Sequence, residues 1–147
     1  MQIFISSQAE YDQAVKTRQH MGNELVIQNN NDNYIKVHTD VTVCKNGACI
    51  VDDKSAITIT AKENVMVKAD GKTTVIAYDN SNIVAKGNCK VTLNNFSFCN
   101  AYEHCQIILK GSSEVSADGN CTVHAHDEAH VSASGSSKVY TYQKRLV

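Results

Sequence analysis

Proline and tryptophan are absent from this 147-residue chain. No proline-rich linker divides it, and the length suits one domain. No apolar run is long enough to cross a bilayer. Neither sign of charge dominates, since the formal net charge is −1. A near-neutral chain has no basic excess for phosphate binding and no acidic excess to mimic nucleic-acid charge. The expectation is therefore no membrane and no nucleic-acid partner. The opening MQIFISSQAEYDQAV lacks the basic region and long apolar core of a secretion signal, which predicts a cytoplasmic protein.

Signatures of common chemistries are missing as well. There is no glycine-rich loop at a strand–helix junction to cradle phosphate. There is no nucleophile elbow, and the carboxylates are dispersed rather than paired. Six cysteines are present, but none form a CxxC pair. Cys44 and Cys49 lie five apart, which does not suit zinc. Regular outward threonine ladders of the ice-binding type are absent too. The balance favours a non-enzymatic chain with no cofactor.

What the chain does contain is a repeat. In steps of eight, Val67, Val75, Ile83, Val91, Cys99, Ile107, Val115, Val123, Val131 and Val139 recur, and the series extends backward through Ile59, Val51, Val43, Ile35 and Ile27. Two residues later comes a small or apolar side chain, as in Ala69, Ala77, Ala85, Leu93 and Ala101. Two further on comes a turn former, as in Gly71, Asp79, Gly87 and Asn95, with Gly47 in the same register. Then follows a small residue, as in Thr73, Ser81, Cys89 and Ser97. The consensus V-x-A-x-[G/D/N]-x-[S/C/T]-x alternates with period two, which predicts a strand with one buried face. The turn former supplies a position that tolerates positive φ. So short a strand cannot bury a face alone, so coils must stack.

Cys89, Cys105 and Cys121 are spaced by sixteen, as are Leu93 and Leu109. Like residues stack on like when two octads make one coil, whereas a three-octad coil would set Cys89 over Ser113. The expected fold is all-β: a single-stranded parallel β-solenoid (β-helix or β-roll) of 16-residue coils. About seven coils of ~4.8 Å each predict a rod of roughly 34 Å. The cysteines then read as reduced core thiols.

Residues 1–26 read as a strand and helical cap, residues 27–142 as the solenoid and residues 143–147 as a tail. IFIS suits a short strand. Ser7 with Glu10 forms a capping-box pattern ahead of a helix over QAEYDQAVKTRQH, whose Ala9, Tyr11, Ala14 and Val15 would cover one end of the solenoid. No comparable element follows the last octad, which predicts a homodimer in which another copy covers that end.

Runs such as VIAYDNSNIVAKGNCKVTL and VSADGNCTVHAHDEAHVSASGSSKVYTY resemble octapeptide-repeat proteins encoded in bacterial genomes, prophages and phages. The likeness spans residues 59–142 well and 27–58 loosely. It implies a β-solenoid of bacterial or phage source and hands over no catalytic residues. Lys45, Asp53, Glu63 and Glu103 depart from the pattern at inward or turn positions, which local bulges or turns would accommodate.

Function is sought at the outward positions. Ile76, Thr92, Ile108, His124 and Tyr140 form one predicted ladder, and Tyr78, Asn94, Lys110, His126 and Tyr142 the adjacent one. A contiguous aromatic and aliphatic face marks an interface. Phe96, Phe98 and Tyr102 form a second candidate interface. His124 and His126 on one strand face are candidate metal ligands, with His130 facing elsewhere. The leading expectation is a non-enzymatic protein-binding module whose partner the resemblance would place among host bacterial proteins, acting as an inhibitor of a host enzyme or defence complex. The alternatives are a metal-binding protein or enzyme centred on His124 and His126, and a scaffold or virion component assembling end to end.

Overall fold

A computed structural model describes residues 1–29, 33–51 and 56–142. Among the described residues the chain is a parallel β-solenoid with one short helix. One sheet runs in the order β1 (Gln2–Ile5), β2 (Glu24–Ile27), β4 (Val41–Val43), β6 (Thr58–Ala61), β8 (Thr74–Ala77), β10 (Lys90–Leu93), β12 (Gln106–Leu109), β14 (Thr122–His126) and β16 (Lys138–Tyr142). The opposing sheet contains β3 (Ile35–Val37), β5 (Ala48–Val51), β7 (Met66–Ala69), β9 (Asn82–Ala85), β11 (Phe98–Ala101), β13 (Glu114–Ala117) and β15 (His130–Ala133). Each coil contributes one strand to each sheet. Seven coils run from β2 to β15, and β16 opens the next.

From β6 onward the coil is sixteen residues. Val75 pairs with Val91, Val91 with Ile107 and Ile107 with Val123. Ile83 and Val115 flank Cys99. The core is the column of these residues, the Ala/Leu column beside it and the small corner residues. Cys89, Cys105 and Cys121 occupy one corner, and Ser81, Ser97 and Ser113 the other, all buried. Their side chains explain the preference for Ser, Thr or Cys. Ser81 Oγ donates to the Tyr78 carbonyl at 2.7 Å, Ser97 Oγ to Asn94 at 2.7 Å, and Cys89 Sγ to Lys86 at 3.1 Å. A small donor three residues after the turn begins satisfies a carbonyl that the corner would otherwise bury.

The register before Ile59 differs from the unbroken octad series. Val41, not Val43, pairs with Ile59, and Val43 pairs with Ala61. Ile27 pairs with Val43, while Ile35 pairs with Cys49 and Val37 with Val51. Cys49 then pairs with Val67. Ile27, Val43 and Val51 therefore stand in the alanine column. A slip of two keeps every side chain on its face, whereas a slip of one would turn the core outward. The apolar pattern thus conceals the shift. Buried Asn29 secures this irregular part, accepting the Ala48 N–H at 2.7 Å and donating to the Asn33 carbonyl.

Gly47 consequently lies at the buried small corner and not at the turn position assigned by the octad count. A Cβ there would stand 2.7 Å from the Ile27 carbonyl oxygen. The left-handed turn position of that coil belongs to Lys45, with φ 49°. Glu63 and Glu103 occupy the same kind of position at φ 66° and 64°. They are turns with an unusual occupant rather than bulges. Asp53 and the 143–147 tail lie outside the described residues.

At the first end, β1 extends one sheet by pairing with β2. Helix α1 (Gln8–Lys16) lies along β3, the edge of the other sheet. Ser7 caps it by accepting the Glu10 N–H at 3.2 Å. The helix is shorter than the sequence suggested and ends at Lys16, because Arg18 turns left-handed at φ 61°. Gln19 then donates to the Ala14 carbonyl and Arg18 to that of Val15, a Schellman closure. Tyr11 and Ala14 are buried and Val15 half-buried, while Ala9 is exposed. Gln8 takes the place of a neighbouring strand: its Oε1 accepts the Lys36 N–H at 2.7 Å and its Nε2 donates to the Lys36 carbonyl at 3.1 Å. No helix among the described residues is long and apolar enough to cross a membrane.

Candidate interaction face

Strand alternation sends every second residue of the nine-stranded sheet outward. The register aligns Thr60, Ile76, Thr92, Ile108, His124 and Tyr140 in one ladder. Beside it, Tyr78, Asn94 and Lys110 each donate to the carbonyl of the Ala/Leu column one coil below, and His126 pairs with Tyr142. Tyr78, Ile108, Tyr140 and Tyr142 are all more than a third exposed. The structure therefore brings Ile76, Tyr78, Ile108, Lys110, His124, His126, Tyr140 and Tyr142 onto one face.

Toward β16 this face becomes an aromatic stack. The rings of His124 and Tyr140 lie 5.1 Å apart at 14°, and those of His126 and Tyr142 lie 4.6 Å apart at 12°. His124 also stacks on Tyr142 at 5.9 Å, and its Nδ1 hydrogen-bonds the Tyr142 hydroxyl at 3.0 Å. Stacking and this hydrogen bond hold the imidazoles flat against their neighbours, and one ring nitrogen of His124 is already engaged. His130 begins β15 on the opposite sheet. Among the described residues, no group of three or more His, Cys, Asp or Glu is placed to hold a metal ion.

The aromatic triplet does not form one surface. Phe96 stands at the corner between the sheets and is 69% exposed. Phe98 lies half-buried on the opposite sheet between Asn82 and Glu114. Tyr102 follows β11 and lines a shallow 340 Å³ groove with Ile50, Lys68, Val84 and Lys86. Lys86 Nζ lies 3.8 Å from the Asp70 carboxylate there.

One cluster beside this groove escaped the sequence reading. Lys68 Nζ sits 4.4 Å above the Tyr34 ring, and the Tyr34 hydroxyl donates to Met66 Sδ at 3.8 Å. Tyr34 belongs to the first coil and lies 32 residues before Met66, two full laps in the octad count, but the outward ladders read from the sequence lie on the opposite sheet. The pairing of Ile35 with Cys49 and of Cys49 with Val67 keeps that alignment across the irregular second coil.

The thiols are buried for the most part, and their shifts run in both directions. All six cysteines are free and only Cys44 is not fully buried. Burial pushes the Cys49 thiol up to about 12 and that of Cys99 higher still. Burial, then the nearby Glu63 carboxylate, raises Cys44. Cys89 shifts the other way, lowered by hydrogen bonding with the Cys105 thiol, which the same contact raises, and its side chain is fully buried.

No protein-family model matches this chain, and neither the curated proteins nor the solved structures return a match.

Proposed function

We propose that the chain is a non-enzymatic protein-binding module that works by laying its nine-stranded face against a partner. One observation carries this reading: Ile76, Tyr78, Ile108, Tyr140 and Tyr142 share one contiguous outward face. Tyrosines with few rotatable bonds, on strands whose other face is locked in the core, lose little entropy on docking. Aromatic anchors of this kind dominate protein–protein binding energy. Core demands fall on alternate residues, so the face is free to suit its partner. The resemblance to octad-repeat proteins of bacteria and phages makes a host bacterial protein the natural partner class. Occlusion of a host enzyme or defence complex is the corresponding mode of action.

The test is affinity capture from bacterial lysate with the wild-type chain and with an Ile76→Lys/Tyr78→Ser/Ile108→Lys variant. These side chains point away from the core, so the variant should fold. A partner held by the wild type and released by the variant supports the reading. Capture of nothing specific, or equal capture by both, contradicts it.

A further inference from the structure

Among the described residues, each sheet ends at the far end of the rod on a strand with one free edge: β15 closes one sheet order and β16 the other. The core columns stop there too. Val139 is 39% exposed, Ala133 and Thr141 are exposed, and Val131 is half-buried, although their equivalents one coil earlier are buried. Lys138 donates to the Cys121 carbonyl, His130 to Ser113 and Ser134 to Ala117. In a parallel ladder the alternate residues turn both N–H and C=O the other way. Val139 and Thr141 on β16, and Val131 and Ala133 on β15, therefore present donors and acceptors to the open edge.

We infer that a second copy of this chain covers this end, tail to tail, about a two-fold axis passing through Tyr140 and Ser132. The residues pair without adjustment. Antiparallel alignment of β16 with its mate sets Val139 against Thr141 of the second copy and Thr141 against its Val139. In such pairs both residues exchange N–H···O=C bonds. The same axis sets Val131 against Ala133 on β15, twice over. Tyr140 faces its own mate, and the two His124–Tyr140–Tyr142–His126 stacks join into one stripe. The exposed core columns meet their equivalents, closing the interior.

Three observations select this occupant. A lone extended peptide could pair with one edge only, whereas the same end of a second copy offers two edges at the matching separation. Head-to-tail stacking also satisfies only one, because the opposite end presents the β1 edge while α1 and Gln8 already fill the β3 edge. Charge agrees as well. Antiparallel pairing carries Lys138 toward Tyr142 of the second copy, beside the corner bearing Asp127 and Glu128. Such a closed isologous contact forms dimers and not filaments. It is independent of the partner-binding reading and leaves most of the tyrosine–isoleucine face free.

Sedimentation of the full chain across the micromolar range tests it, together with two variants. Thr141→Pro removes an N–H that the coil itself does not use, at an edge position where proline is tolerated. It should convert a dimer to monomer with unchanged circular dichroism. Tyr140→Cys places two thiols in a pair with Cα atoms about 4.5 Å apart, within disulfide reach. It should cross-link on mild oxidation, whereas Ile108→Cys, two coils away, should not. A dimer that Thr141→Pro dissociates and Tyr140→Cys traps supports the inference. A monomer at every concentration, a growing series of oligomers, or a dimer indifferent to both variants overturns it.

Discussion

The Asp79 carboxylate accepts the backbone N–H of Glu63 at 3.0 Å, across the boundary between two coils. The device recurs along one corner. Glu63 accepts from Lys45 N–H at 3.1 Å, Asn95 from Asp79 at 3.0 Å, and Asp127 from Gly111 at 3.1 Å. Where the left-handed residue carries an oxygen acceptor, it thus ties down the turn before it. The other corner stacks Gly71, Gly87, Glu103, Gly119 and Gly135, and there Asp70 and Asp118 cap the next amide from within their own coil.

Removing the acceptor should therefore cost stability. Asp79→Ala is expected to lose about 1–2 kcal/mol in urea unfolding. Glutamate at positive φ is strained, so Glu103→Gly should gain roughly 0.5–1 kcal/mol. Glu63→Gly should gain less, because it also forfeits the bond to Lys45.

The two corners should respond oppositely to a new side chain. A Cβ on Gly119 would stand 3.0 Å from both Glu103 N and its carbonyl oxygen. Gly119→Ala should cost about 1–3 kcal/mol. At Gly111 the nearest atom to a Cβ is Asn95 N at 3.3 Å, and Gly111→Asn can supply the acceptor that Asn95 supplies to Asp79. Its stability should lie within about 1 kcal/mol of wild type, by the same unfolding measurement.

Cysteine substitutions should divide by column. Cys89→Ser and Cys121→Ser repeat what Ser81 and Ser113 already do and should cost under about 1 kcal/mol each. Cys99→Ser, between Ile83 and Val115, leaves a hydroxyl in an apolar column and should cost about 1–3 kcal/mol. Below pH 9 the Cys49 thiol is protonated whether the chain is folded or not. Between about 9.0 and about 12 the unfolded thiol ionises and the folded one does not. Stability should fall through that window, and thiol reagents at neutral pH should reach Cys44 well before the others.

The end cap should prove separable from the rest. The Tyr11 hydroxyl joins Thr39 Oγ1 at 2.8 Å and the His38 N–H at 2.8 Å. Tyr11→Phe and Gln8→Ala should each speed amide exchange at residues 36–39 while leaving β10 and β12 protected. Uniform exchange across all coils would mean that the cap and the coils open as one unit.

Much of this architecture was legible because one alternation serves both core and face. Ile76, Ile108 and Tyr140 could be placed on one ladder because Val75, Ile107 and Val139 mark the inward phase. The same alternation hid the two-residue shift at Val43 and Val51, since either column accepts a valine. Gly47 was misplaced for that reason: glycine serves a turn by its φ and a crowded corner by its lack of Cβ. Phe98 was harder, because alternation gives direction but not the cover supplied by neighbouring strands. The helix was recognisable from Ser7 and Glu10, but its end was not, because Arg18 takes a conformation usually left to glycine.

The outward face and the end pairing both require coils of sixteen residues, and nuclear Overhauser contacts test that period directly. Thr92 side-chain protons should show contacts with Ile76 and Ile108, sixteen residues to either side, and none with Val84 or Asn100 on the opposite sheet. Contacts at spacings of eight or twenty-four would dismantle the outward face and the end-to-end pairing together.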